Sequence, residues 1–327
     1  MENYLEIEYP YYNLYYTLNK KKILEYIKKF TPEIYYHKIN ELKNVKIEKY
    51  KNLNDKDIFF IIKDNYNKNS FINNITDYFS ETIRVKCKFK NYLSPYDYWN
   101  KNKKEILEKT IQKYKKLNIY NIRETIFYNT KLCNNFRITV ALTILQHFKP
   151  KKWLDISAGW GDRLLSAIFY KINLYVSCDP NLDLHPCYDN MKNTFLTESK
   201  KKNFIIYKNG FLEAPIKNKN FDIVFSSPPF FTLEIYSNFK ENSVQQFTTE
   251  KEWCDNFFVK SLIKAYNLLK IGGHMILYMG GSDYVINKMH LLDNIMDYKG
   301  QIYFYEKVQR GIYVWKKINN NKIVSLE

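Results

Sequence analysis

The stretch Trp153 to Ala167, WLDISAGWGDRLLSA, limits what this chain can fold into more than any other part of it. Trp153 to Ile156 reads as a short buried strand, Gly159 and Gly161 as a sharp turn, and the residues from near Arg163 as a helix. A residue without a Cβ lets the backbone approach a bound molecule closely. The helix start that follows offers unpaired N–H groups to a polar or anionic ligand. Asp155 adds a carboxylate at the strand's carboxyl edge, which suits a ligand with an amine or hydroxyls better than a pyrophosphate. Strand, acid, G-x-G turn and helix form the opening unit of a Rossmann-like sheet. The plain alternative is a tight βα turn with no ligand.

A second stretch favours the ligand. Phe221 to Phe225 is an apolar run with one acidic break, as expected of a strand buried on both faces of a parallel sheet. It ends in Ser226-Ser227-Pro228-Pro229-Phe230, where two prolines stop the strand and leave the preceding carbonyl unpaired. Ligands of open α/β sheets bind at this edge. An aromatic ring there, beside a hydroxyl and a free carbonyl, makes a polar clamp the size of a base. Between the two stretches, Leu174 to Cys178 reads as the second strand and ends at Asp179-Pro180-Asn181. An acid about twenty positions past the glycine turn is where ribose hydroxyls are held in this architecture. Asp179 is therefore the expected ribose ligand, with a plain turn Asp as the rival reading. Phe204 to Tyr207 reads as the third strand, Lys251 to Leu269 as a covering helix, Ile271-Gly272-Gly273 as a turn and Met275 to Tyr278 as the fifth strand. Tyr303 to Val308 and Ile312 to Lys316 read as a closing hairpin around Arg310-Gly311. Strands alternating with helices imply βαβ units and a parallel sheet.

Together these residues resemble the S-adenosylmethionine-dependent amino-methyltransferases. Asp155 to Gly161 resembles their glycine motif, and Ser227 to Phe230 resembles their (Asp/Asn/Ser)-Pro-Pro-(Tyr/Phe/Trp) motif, in the Ser form common among cytosine-amine DNA methyltransferases. SAGWGDRL, CDPN and SPPFFTLEIY are similar to a branch found in phages and large DNA viruses. The resemblance covers roughly Ile122 to Leu277. It implies an α/β fold, a Rossmann-like seven-stranded methyltransferase sheet, with S-adenosylmethionine as cofactor. Asp155, Ala158, Gly159, Gly161, Asp179, Phe211 and Glu213 would bind that cofactor. Ser227, Pro228, Pro229 and Phe230 would be the catalytic set.

An exocyclic base amine is a poor nucleophile because its lone pair is delocalised into the ring. The Ser227 hydroxyl and the Pro228 carbonyl can both accept its N–H bonds, and Phe230 can stack on the base. Alignment of this kind supplies up to roughly 7–11 kcal/mol of barrier lowering. With Ser in place of an acid, the amine proton is expected to leave through solvent. Three alternatives stay open: an inactive methyltransferase-like binding subunit, methylation of a protein side-chain amide, and small-molecule or propylamine transfer.

At 327 residues the chain can hold two domains, and the pattern divides it into an N-terminal α+β extension, 1–118, and the methyltransferase domain, 119–327. The net charge of +17 partly reflects Lys-rich coding from an AT-rich genome, yet it still attracts polyanions. Nucleic acid is the expected partner, DNA ahead of RNA; with about fifty residues after Gly280, sequence discrimination is expected to be either modest or delegated to the extension. Thr82 to Phe89 alternates apolar residues with Arg84, Lys86 and Lys88, and reads as a half-buried strand with a basic outer face running on to Lys90. Such a face is either merely solvated or a contact for nucleic acid. Ser94-Pro95 opens a helix carrying Lys101, Lys103 and Lys104, also candidate contacts. Glu33 to Ile39 and Val45 to Tyr50 are β-like. Ile122 to Thr130 and Cys133 to Phe148 read as helices, with Asn134, Asn135 and Phe136 as a cap or as contacts at the cofactor mouth. Five dispersed cysteines without a C-x-x-C pair argue for a reducing compartment and against a metal site. With no apolar run of about eighteen residues and no signal-peptide pattern, an intracellular protein, cytoplasmic or nuclear, is expected.

Overall fold

The computed structural model describes residues 1–35, 58–64, 66–236, 243–304 and 307–320. Its strands in chain order are β1 (Ile34–Tyr35), β2 (Ile58–Ile62), β3 (Lys88–Phe89), β4 (Lys152–Asp155), β5 (Leu174–Cys178) and β6 (Phe204–Tyr207). They continue with β7 (Phe221–Ser226), β8 (Glu234–Ile235), β9 (Leu269–Tyr278), β10 (Met296–Phe304) and β11 (Lys307–Lys317). Nine of them form one sheet in the order β1-β2-β10-β11-β9-β7-β4-β5-β6, while β3 pairs with β8. The sheet is parallel from β9 through β7, β4 and β5 to β6, and β11 runs antiparallel to both β9 and β10. This is the expected α/β Rossmann-like class, with nine strands among the described residues where seven were expected. The two extra strands, β1 and β2, come from the N-terminal segment, and β2 joins β10 in parallel.

Alternation along each strand explains why the sheet is covered on both sides. Trp153, Tyr175, Ile223 and Phe225 pack into one cluster with the helices Ile138–Phe148 and Asp162–Tyr170. Their neighbours Leu154, Val176 and Val224 pack into the other, with Met275 and the Val259–Leu268 helix. The first cluster also takes Ile23, Phe60, Ile62, Ile72, Ile75 and Cys87, so the N-terminal segment shares the core of the sheet. A separate cluster around Tyr9, Val85, Trp99, Leu107 and Ile126 holds the Pro95–Tyr114 and Ile119–Asn129 helices together.

Several expectations are corrected. Thr82 to Phe89 is not a strand: a helix, Asp77–Arg84, covers its first half and only Lys88–Phe89 pairs as β3. Helical spacing puts Asp77, Glu81 and Arg84 on one face. There Arg84 pairs with Asp77 at 2.7 Å and donates to the Cys133 carbonyl, and Glu81 pairs with Arg123. Buried charges need such partners, and these satisfy one another. Arg310-Gly311 lies inside β11 rather than at the hairpin turn, because Phe304 faces Lys307. Gly272 and Gly273 lie inside β9, where Gly272 adopts φ +74° and the pairing with β7 shifts register. The helix expected from Cys133 begins at Ile138, with no side-chain cap at Arg137. The β-like run Val45 to Tyr50 lies outside the described residues, as does most of Glu33 to Ile39.

Strand order reverses at β4: the chain moves outward through β5 and β6, then returns to place β7 on the other side. The carboxyl ends of β4 and β7 are therefore neighbours, and a crevice opens at such a switch point.

Candidate active site

Two loops leave that switch point, and one hydrogen bond ties them: Ser157 Oγ donates to the Ser227 carbonyl at 2.8 Å. Below them Trp153 Nε1 donates to the Phe225 carbonyl, also at 2.8 Å. Gly159 and Gly161 both have positive φ, +59° and +99°, which side-chain-bearing residues rarely adopt. Their tasks differ. Gly159 lines the cavity, whereas a Cβ on Gly161 would meet Met191 Sδ and Cε at 2.6 Å. Gly161 thus serves close packing of the turn on the His185–Phe195 helix, outside the cavity wall.

A cavity of about 190 Å³ lies over the two loops. Of the expected site residues, Gly159, Asp179, Phe211, Ser227, Pro229 and Phe230 line it. Asp155, Ala158, Gly161, Glu213 and Pro228 do not, and Glu213 is exposed. Asp155 lies wholly buried beneath the loop, paired with Arg163 Nε at 2.9 Å and accepting from Tyr175 Oη at 2.8 Å. Burial raises its carboxyl above the ordinary range while Arg163 opposes. It holds the loop from below, accepting from the Ser157 N–H, and does not line the cavity. Ala158 is equally covered, its N–H donating to the Cys178 carbonyl at 2.8 Å.

Asp179 sits at the carboxyl end of β5 and accepts from the N–H groups of Gly159 (3.0 Å) and Asn181 (2.9 Å). Burial pushes its carboxyl up to about 6, against the pull of those bonds. Phe211 is buried on the cavity wall, where Lys264 Nζ lies 5.2 Å from its ring and donates to the carbonyls of Phe211, Leu212 and Ala214. Phe230 stands edge-on to Tyr278 with centroids 6.1 Å apart, and Tyr278 in turn meets Phe136 at 5.4 Å. Phe230 also lines a second, open groove of about 930 Å³ with Lys90, Asn91, Gln301, Tyr303 and Tyr313. It therefore stands where the two spaces meet.

Further residues line the cavity, among them Asn134, Asn135 and Phe136, read in the sequence as a cap or as contacts at its mouth. Asp162, directly after the glycine turn, accepts from the Thr76 hydroxyl and from the Phe136 N–H at 3.3 Å. Burial lifts its carboxyl to about 7, and the charge of Asp77 adds to this. Glu234 and Tyr236, within the SPPFFTLEIY run, line the wall beyond Phe230. Asn135 also lines the cavity; its Nδ2 donates to Asp77 at 2.7 Å, and its Oδ1 is buried without a partner. For Asp162, Glu234 and Tyr236 the only sequence signal was their place beside or within the motifs.

The basic set divides. Lys86, Lys88, Lys90, Lys101 and Lys104 are exposed, and Lys90 borders the groove. Lys103 is corrected: its Nζ donates to the carbonyls of Leu5 (3.0 Å) and Ile7 (2.8 Å) and lies over the Trp99 ring, so it anchors the N-terminal segment. All five cysteines are buried and unpaired. Among the described residues no helix is long and apolar enough to cross a membrane, and no group of three or more His, Cys, Asp and Glu could hold a metal.

No protein-family model matches the chain, and no curated protein sequence matches it. Among solved structures it is similar to a TehB-like SAM-dependent methyltransferase from Corynebacterium glutamicum, at 14% identity over 57% of this chain and 90% of that one, TM-score 0.38. A methyltransferase from Pyrococcus furiosus gives 16% identity over 56% and 84%, TM-score 0.40. TrmN from Thermus thermophilus gives 14% identity over 56% and 49%, TM-score 0.39. Likenesses this low carry no argument about chemistry, which has to come from the site.

Proposed function

We propose that the chain is an S-adenosylmethionine-dependent methyltransferase that transfers a methyl group to the exocyclic amine of a nucleic-acid base, DNA ahead of RNA. The observation that carries this reading is that one cavity is lined both by Gly159, Asp179 and Phe211 and by Ser227, Pro229 and Phe230. The first group fits a nucleoside: a carboxylate for ribose hydroxyls and an aromatic wall for adenine. Asn135 Oδ1, buried and unpartnered, fits the ammonium of an amino-acid tail. The cofactor supplies an electrophilic methyl on a sulfonium. On this reading Ser227 turns the amine lone pair toward that methyl, and Phe230 stacks on the base arriving from the open groove. The net charge of +17 favours a polyanionic substrate, and the Ser-Pro-Pro-Phe form favours DNA. The N-terminal segment, 1–118, contributes Lys90 to that groove and serves as the recognition element.

Incubation with methyl-labelled S-adenosylmethionine and separate DNA, RNA and protein pools tests the reading, with label expected in DNA. Label in protein alone moves the assignment to a side-chain amide. Ser227→Ala should lower turnover at least about tenfold, or about 1.4 kcal/mol of barrier, with affinity for S-adenosylhomocysteine unchanged. Full activity in that variant removes Ser227 from the chemistry.

A further inference from the structure

Glu234 is 5% exposed and lies in the wall of the cavity that holds Ser227, Pro229 and Phe230. A single turn, Phe231–Leu233, separates it from Phe230, closed by the Leu233 N–H donating to the Phe230 carbonyl at 3.0 Å. Side chains alternate from there on: Leu233 and Ile235 line the open groove, while Glu234 and Tyr236 line the cavity. This short strand is the partition between the two spaces. The N-terminal segment fixes its register, with Phe89 opposite Glu234 and the Lys90 N–H donating to the Leu233 carbonyl at 3.0 Å. Tyr236 braces the carboxylate, its Oη donating to Glu234 Oε2 at 2.6 Å, and its ring rests against Trp160.

Asp179 accepts two backbone N–H bonds at the ribose end, and Asp162 accepts from Thr76 and Phe136. On the reading above, Asn135, whose Oδ1 is buried without a partner, meets the amino-acid tail. Ser227 holds the position where related motifs place an acid, so the loop itself offers the target nitrogen no carboxylate.

We propose that Glu234 is a catalytic residue that accepts an N–H bond from the target amine and then its proton, an inference that rests on the methyltransferase reading above. The nitrogen lone pair forms the N–C bond as the methyl's C–S bond breaks, and that electron pair stays on sulfur as a neutral thioether. The methylated nitrogen gives its surplus proton to the Glu234 carboxylate, which releases it to water. A proton leaving through solvent alone, as the sequence suggests, is thereby replaced by one leaving through a side chain.

The test compares wild type, Glu234→Gln and Glu234→Ala with methyl-labelled S-adenosylmethionine and the DNA and RNA pools. Calorimetry with S-adenosylhomocysteine and thermal melting run alongside. Glu234→Gln should melt normally and bind S-adenosylhomocysteine normally, while kcat falls by about 100-fold, within the range of general-base contributions. Added formate should restore part of the rate to Glu234→Ala, a recovery that a purely structural carboxylate does not give. Full turnover in Glu234→Gln overturns the proposal. So does a loss of S-adenosylhomocysteine affinity in step with the rate, which assigns the carboxylate to the donor's ammonium. A melt lost in both variants overturns it in favour of a structural role. Wild type that binds S-adenosylhomocysteine but labels neither pool overturns the base-amine reading, and this inference with it.

Discussion

Asp162→Asn should make the protein more stable in alkali than the wild type, by an amount that can be worked from the site. Asp162 is 3% exposed and titrates at about 7 rather than 3.8, chiefly because burial penalises its charged form. A carboxyl raised in the fold contributes stability that is fully present below its unfolded value, near 3.8, and lost as pH climbs through 7. At about 1.4 kcal/mol per pH unit the full loss is about 4 kcal/mol, of which about 3 kcal/mol falls between about pH 5 and pH 8.5. The amide keeps both contacts, with its oxygen accepting from the Phe136 N–H and its nitrogen donating to the Thr76 hydroxyl. Other titrating groups, Asp179 included, are present in both proteins and cancel in the difference. Urea unfolding of the two proteins across that pH range is the assay. The difference curve should rise by about 3 kcal/mol in favour of Asp162→Asn. Parallel curves refute the reasoning, because they mean that the carboxylate is not carrying a burial cost.

Three further outcomes follow from the same geometry. Asp179→Ala should weaken S-adenosylhomocysteine binding by roughly 1.5–3 kcal/mol, typical of a lost charge-assisted hydrogen bond; unchanged calorimetry in a folded variant removes Asp179 from the site. Lys88→Glu with Lys90→Glu should flatten the salt dependence of nucleic-acid binding, because fewer counterions are then released. Lys103→Glu should lower the melting temperature and leave that slope alone, since Lys103 Nζ is engaged with the Leu5 and Ile7 carbonyls; equal slopes lost in both cases count against this division of the lysines.

The sequence by itself determined the sheet around the site. Leu174–Cys178 and Phe204–Tyr207 emerge with the boundaries read from the chain, and the strands of Trp153 and Phe221 differ by about a residue. Such runs are legible because an apolar stretch bounded by glycine, proline or asparagine is a local signal. Gly159, Asp179, Ser227 and Phe230 were legible for the same reason, each lying at the carboxyl end of such a strand. What the tertiary structure alone decided is how distant segments meet there. Thr82 to Phe89 looked like a strand because Arg84 alternates with Lys86 and Lys88 as if on one outer face, whereas Arg84 ends a helix and is buried against Asp77 and Cys133. Asp155 looked like a ligand until Arg163 and Tyr175 enclosed it. Thr76 reaching Asp162, Asn135 donating to Asp77 and β3 drawing Glu234 to the cavity wall are all contacts across long stretches of chain. Periodicity reports which face of one segment is apolar, whereas these side chains take their roles from the charges and hydrogen-bond partners that another segment brings beside them.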